Sequence, residues 1–269
     1  MLGWMRVCFM LFLVVVVTPP MALAQILVLR TGIGNERFLP RLWHRFVLFV
    51  LGFRLHVRGK MSDERPLLIA ANHISWTDIM VAGAVAEVNF IAKSEVSGWP
   101  MIGTLAHLQR TVFVEREQKR KSGDQAGEIA RRMNEGDPML LFAEGLTSDG
   151  NLLLPFKSTL FGAASIAVDG GDAESVFVQP LAIVYTRFHG MPMGRLHRMH
   201  AAWIGDRLLA PHIVQLLKEG AVDVELHFGE PVEFRPGSRR KALAREVERR
   251  VTDLFNAAIA HPIKSRDRT

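Results

Sequence analysis

The sequence predicts an α/β fold: a mostly parallel central sheet flanked by helices, carried behind an N-terminal membrane-anchoring helical segment. Two observations predict it. From residue 66 onward, short apolar runs of strand length alternate with segments of helical periodicity, the pattern of a parallel sheet with helices on its faces. Ahead of them, residues 7–29 form a 23-residue stretch without a charged side chain, and about 20 apolar residues suffice to span a bilayer. A chain of 269 residues, 49% of them hydrophobic, holds one large domain plus such an appendage.

Residues 1–30 are assigned to the anchor, transmembrane or re-entrant. Met21-Ala22-Leu23-Ala24 before Gln25 has the small-residue pattern of a signal-peptidase site. Apolar sequence nevertheless continues through Ile26-Leu27-Val28-Leu29 and a dense basic run follows, which favours an uncleaved anchor. Positive residues are retained inside, so the domain is expected at the cytoplasmic face of the inner membrane, with Arg6 alone outside. Thr18-Pro19-Pro20 predicts a kink, or a break into a hairpin.

Residues 31–60 read as a basic interfacial helix opened by Pro40. Phe46-Val47-Leu48-Phe49-Val50-Leu51 is too short to span and is flanked by Trp43, His44, Arg45 and Arg54; a buried helix of the domain is the alternative. In the domain itself, residues 61–262, strands are expected at 66–71, 88–92, 111–114, 139–143, 176–185 and 222–228. Helices are expected at 77–86, 100–107, 124–134, 157–168 and 208–218. Asp223, Glu225 and His227 alternate with Val222, Val224, Leu226 and Phe228, which predicts a strand near the edge with one exposed face. Leu243, Val247, Val251, Leu254 and Ala258 mark an amphipathic helix that packs on the sheet, and residues 263–269 a frayed basic tail.

The single cysteine, Cys8, excludes an internal disulfide framework and any Cys-based metal site. The net charge of +6 is concentrated in residues 1–60, where eight Arg and Lys face the single acid Glu36. A basic collar beside an apolar segment points to anionic lipid headgroups rather than to nucleic acid. Arg187, His189, Arg195, His197, Arg198 and His200 form a second basic cluster. It lacks the carboxylates or cysteines of a metal site and reads as a solvated loop near the membrane rim. His107 and His212 read as structural.

The chemistry is expected at Asn72-His73-Ile74-Ser75-Trp76-Thr77-Asp78, directly after the apolar run that ends at Ala71. An imidazole accepts a proton near neutral pH, and a carboxylate on its other nitrogen fixes the tautomer and stabilises the imidazolium. No third residue is needed when the nucleophile is a substrate hydroxyl. A capped helix start, with Asp78 bonding backbone N–H groups, is the alternative. Five residues are about 500° of helix, so His73 belongs in the strand-to-helix turn and Asp78 in the first helical turn behind it. Arg116 and Glu144-Gly145 follow strand ends and can converge on the same crevice. A cation there suits an anionic headgroup or a coenzyme phosphate, a surface ion pair being the plainer reading of Arg116. Gly145 fits a tight turn with positive φ.

In order and spacing, the segments at 72–78, 109–116, 142–148 and 178–183 resemble the four blocks of the glycerolipid acyltransferase family, which includes the 1-acylglycerol-3-phosphate acyltransferases. The resemblance covers roughly residues 60–190 and extends to Ile91-Ala92-Lys93-Ser94-Glu95 and Gly98-Trp99-Pro100. It implies His73 as the base that deprotonates the acceptor hydroxyl and Asp78 as its orienter, with direct transfer from an acyl carrier protein or coenzyme A thioester. No covalent acyl-enzyme and no further cofactor are implied. Asn72, Ser75, Arg116, Glu144, Gly145, Thr147, Lys157 and Pro180 become candidates for holding substrate. Ser75 is not expected to be a nucleophile, because a residue in the same turn cannot easily reach the outward nitrogen of His73.

Phosphate-acceptor members carry Glu-Gly-Thr-Arg-Ser where this chain reads Glu144-Gly145-Leu146-Thr147-Ser148, so Thr147 stands in place of an arginine. Residues 149–158 and 185–192 resemble the branch that includes lyso-ornithine lipid acyltransferases. Lys157 or Arg187 could replace the lost charge, leaving lysophosphatidate as the alternative acceptor. A membrane-tethered lipid-binding protein with a degenerate site is the non-enzyme alternative, and the intact His73/Asp78 pair with Glu144-Gly145 speaks against it.

Overall fold

The computed structural model describes residues 2–115, 119–170, 173–205 and 207–263. Its elements run α1 (Leu2–Thr31), α2 (Phe38–Leu51), β1 (Phe53–Arg58), β2 (Leu67–Ala71), α3 (Thr77–Val85), β3 (Asn89–Lys93), α4 (Ser94–Ser97), α5 (Ile102–Leu108), β4 (Val112–Val114) and α6 (Lys119–Asn134). There follow β5 (Met139–Phe142), a 3-10 turn (Ser158–Phe161), α7 (Gly162–Gly170), β6 (Val176–Phe188), β7 (Met191–Pro192), α8 (Arg195–Ala201), α9 (Leu209–Glu219), β8 (Val222–Phe228), β9 (Val232–Phe234) and α10 (Arg240–Ala260).

The sheet order is β1-β8-β6-β2-β5-β3-β4, with β7 and β9 also paired to β6. From β6 to β4 every neighbouring pair is parallel, while β8 runs antiparallel to β6 and parallel to β1. Burial explains the sequence of the central strands. Each residue of β2 (Leu-Leu-Ile-Ala-Ala) and β5 (Met-Leu-Leu-Phe) is buried, because helices cover both faces and leave no side for polar alternation. The chain leaves β2, fills β3 and β4 on one side, returns to β5, and only then places β6 on the other flank of β2. In open α/β sheets ligands bind beyond the carboxyl ends of the strands at such a reversal, and here the reversal falls at β2.

Three expectations change. The basic segment is not helical throughout: α2 ends at Leu51 on Gly52, whose φ of 77° favours glycine, and Phe53–Arg58 forms an edge strand on β8. That added strand also corrects the reading of β8, all seven residues of which are buried. Its polar face is an internal layer: His56 Nε2 lies 2.9 Å from Asp223 Oδ1, and His227 Nε2 lies 2.9 Å from Glu225 Oε2. The backbone N–H of Ile263 closes over it, donating to Glu225 Oε1 at 2.8 Å. On α10, Phe255 is fully buried where Leu254 was expected, and Leu254 is half-buried. Of the expected tail, residues 264–269 lie outside the described residues.

Helix α1 is long and apolar enough to cross a membrane, and it continues through Pro19 and Pro20 without ending. Both of its ends touch the domain. Lys218 Nζ lies over the Trp4 ring at 3.7 Å, and Gln25 Nε2 donates to the carbonyls of Glu36 (2.7 Å) and Leu108 (2.9 Å). Arg6, expected alone across the membrane, places its guanidinium against Gly220 and Gly52. Helix α2 packs His44, Val47, Leu48 and Leu51 inward while Phe38, Leu42 and Phe49 stay exposed.

Candidate active site

His73 and Asp78 meet as their spacing requires. His73 lies in the turn after β2, and Asp78 in the first turn of α3 points back at it, with His73 Nδ1 2.9 Å from Asp78 Oδ2. Asp78 has no exposed surface, and its Oδ2 also accepts the N–H groups of Ile74 (2.6 Å) and Ser75 (2.9 Å). One carboxylate thus both bonds the backbone of the turn and meets the imidazole. With that acceptor on Nδ1, the imidazole carries its proton there and leaves Nε2 as a lone-pair acceptor. The ring is stacked on Phe142 at 4.0 Å between centroids, and the side chain keeps 18% of its surface exposed.

Glu144, after β5, straps two loops together. Its Oε1 accepts the His73 N–H at 3.0 Å and its Oε2 the Leu154 N–H at 3.1 Å. Burial pushes its carboxyl up to about 8, against the lowering effect of those two donors and with a smaller contribution from Asp78. Gly145 turns the chain with φ 76°, and its N–H points back to the carbonyl of Phe142 (3.2 Å). Ser148 N–H donates to the carbonyl of His73 at 2.8 Å, and Trp203 N–H to that of Ile74 at 2.9 Å. The turn bearing His73 is thus held by β5, α3 and the segment after α8.

The other expected residues divide. Asn72 is fully buried and uses its whole amide on Ile183, accepting the N–H (2.8 Å) and donating to the C=O (2.9 Å), so it extends the β2–β6 ladder instead of facing the crevice. Pro180 pairs in register with Ala70, inside the sheet and short of the strand end. Ser75 is buried with its hydroxyl beside the Tyr185 phenol. Thr147 donates its hydroxyl to the carbonyl of Trp203. Lys157 is exposed just after the Glu144 loop, its N–H bonded to the carbonyl of Ala143 at 2.9 Å. Arg187, the other proposed replacement for the missing charge, is turned away to the carbonyl of Ile263. Arg116 lies outside the described residues. Among the described residues no group of three or more His, Cys, Asp or Glu could hold a metal ion. His212 is structural, bonded to Trp76 Nε1 and the carbonyl of His200, both at 3.0 Å.

Sequence reasoning missed the part played by Tyr185. It is the single tyrosine of the chain, and a buried phenol demands a partner. That demand was legible, but the partner, Asp78, is 107 residues away.

An acyltransferase family model matches residues 53–184. A lyso-ornithine lipid O-acyltransferase of Rhizobium meliloti (strain 1021) is 48% identical over 256 residues, covering 95% of this chain and 88% of its own. One from Brucella abortus (strain 2308) is 49% identical over 259 residues, covering 96% and 97%. The crystal structure of the 1-acyl-sn-glycerophosphate acyltransferase PlsC from Thermotoga maritima shares the fold with a TM-score of 0.63 at 22% identity, over 98% of this chain and 100% of that one. The relatives match over nearly their full length, and this chain belongs to the acyltransferase family.

Proposed function

We propose that this acyltransferase is a lysolipid O-acyltransferase that esterifies the hydroxyl of lyso-ornithine lipid, with His73 as general base. The observation that carries the mechanism is the His73–Asp78 pair, with Nδ1 held by the carboxylate and the imidazole side chain 18% exposed. Nε2 takes the proton of the acceptor hydroxyl as its oxygen attacks the thioester carbonyl carbon of acyl carrier protein or coenzyme A. The tetrahedral intermediate collapses, the C–S bond breaks, and the imidazolium returns the proton to the departing thiolate. Asp78 stabilises the imidazolium between the two steps. Ser75 forms no ester in this scheme.

The acceptor assignment draws on Thr147 and on the relatives' names. With the Thr147 hydroxyl committed to Trp203, position 147 offers no cation to a phosphate; Lys157 remains for an anionic headgroup. Membrane lipids reach the site across an apolar rim: Leu152, Leu196 and Leu208 are each more than 70% exposed on the segments around the crevice. In this reading α1 stays uncleaved and the domain works on the cytoplasmic face of the inner membrane. Purified protein offered lyso-ornithine lipid and lysophosphatidate separately, with a labelled acyl donor, tests the assignment. The expected result is preference for the ornithine lipid; a wide preference for lysophosphatidate makes the chain a 1-acyl-sn-glycerol-3-phosphate acyltransferase that forms phosphatidic acid.

A further inference from the structure

Asp78 is held by more groups than the turn around it supplies. Its Oδ2 serves His73, Ile74 and Ser75, whereas its Oδ1 accepts from the phenol of Tyr185 at 2.6 Å. Tyr185 is 1% exposed and lies on β6 four residues beyond the level of Ala71, which brings it under α3. Its oxygen is also 2.6 Å from Thr77 Oγ1.

The direction of this chain of bonds follows from proton counting. A carboxylate has no proton to give and a phenol has one, so Tyr185 donates to Asp78 and Thr77 donates to Tyr185. Burial and the neighbouring Asp78 charge push the phenol well above its ordinary range, so it remains a donor. Donors in series polarise one another: Thr77 points its proton at the phenol, and Tyr185 and His73 point theirs at the two oxygens of one carboxylate.

We propose that Tyr185 is a positioning residue for acyl transfer: through Asp78 it sets the orientation and tautomer of His73, and Thr77 aims the phenol. The inference rests on the reading of His73 as the base. With the phenol in place the two carboxylate oxygens are distinct, one given to β6 and one to the His73 turn. Without it Oδ1 is a buried acceptor lacking that donor, and the carboxylate can rotate away from the imidazole. Phenylalanine keeps the ring and removes the proton, which separates this role from packing.

The test uses full-length protein in lipid–detergent micelles, measuring kcat and KM for both substrates. Tyr185→Phe should lower kcat about ten-fold or more, the value of a hydrogen bond to a charged group, with both KM values within about two-fold. On an Asp78→Asn background the same change should cost less than about two-fold, because its route runs through Asp78. Thr77→Val should give a smaller loss that vanishes on the Tyr185→Phe background, and it tests the same chain should Tyr185→Phe fold poorly. Wild-type kcat in Tyr185→Phe, or losses that multiply fully with Asp78→Asn, would overturn the proposal in favour of packing. His73→Ala separates the layers: if it is inactive while Tyr185→Phe is normal, only the Tyr185 inference falls. If His73→Ala turns over normally, the base reading falls and takes this inference with it.

Discussion

Among the described residues three histidine–carboxylate pairs have the same 2.9 Å separation, His73–Asp78 beyond β2 and the pairs His56–Asp223 and His227–Glu225 near the β1/β8 edge. Distance therefore does not distinguish the site. His227 is closed in, its side chain 5% exposed, beneath the layer that Ile263 seals. The His73 side chain is 18% exposed while Asp78 behind it is enclosed by two backbone donors and a phenol. A buried pair of this kind holds the fold together; an open imidazole on an enclosed carboxylate can exchange a proton with substrate.

The sharpest way to break that contrast is to remove each imidazole in turn. His73→Ala should lower the acyl-transfer rate by about 10² to 10⁴, the usual contribution of a positioned base, with an unchanged melting temperature. His227→Ala should do the reverse, keeping kcat within about two-fold while losing roughly 1–3 kcal/mol of stability as Glu225 loses a buried partner. Thermal unfolding and turnover measured on both proteins check this, and equal loss of activity in the two would erase the distinction.

Next in size is the headgroup. Thr147→Arg should shift relative kcat/KM from lyso-ornithine lipid toward lysophosphatidate by ten-fold or more, since a charge-assisted contact to phosphate is worth about 1.5–3 kcal/mol. It also removes the bond to Trp203, so activity on the ornithine lipid should fall in absolute terms. Unchanged preference would place headgroup selection elsewhere.

A smaller effect concerns Glu144. Its folded carboxyl titrates near 8, above the ordinary 4.5, so between those values the folded state holds a proton that the unfolded state has released. Stability from this group is full below about pH 4.5 and is lost as pH rises toward 8. Glu144→Gln should flatten that decline in a melting-temperature series. A wild-type protein whose stability rises over the same interval would mean that the two backbone donors keep Glu144 ionised.

The comparison also marks what was legible in the sequence. The central strands, α3 and the placement of His73 ahead of Asp78 follow from apolar run lengths and helical angle, which are local. The β8 layer was misread because Asp223, Glu225 and His227 look like a solvent face until β1 and the end of the chain cover them, and those coverings come from 167 residues upstream for His56 and 38 downstream for Ile263. Asn72 was misassigned for the same reason: a polar side chain beside the proposed base suggests substrate, and only the neighbouring strand reveals that it completes a ladder. Tyr185 needed a contact across 107 residues. At the N-terminus, composition indicates an apolar helix, while Gln25 and Trp4 tie both ends of α1 to the domain. Mass spectrometry of membrane-extracted protein should find the chain uncleaved at Gln25.

The most direct measurement is a rapid-quench single turnover with labelled acyl donor, with and without lyso-ornithine lipid. The account predicts labelled ester product only when acceptor is present, no labelled protein at any time, and neither product nor label with His73→Ala. A labelled acyl-protein that forms without acceptor and passes its label on when acceptor is added would contradict it, making an enzyme side chain the nucleophile in place of the substrate hydroxyl.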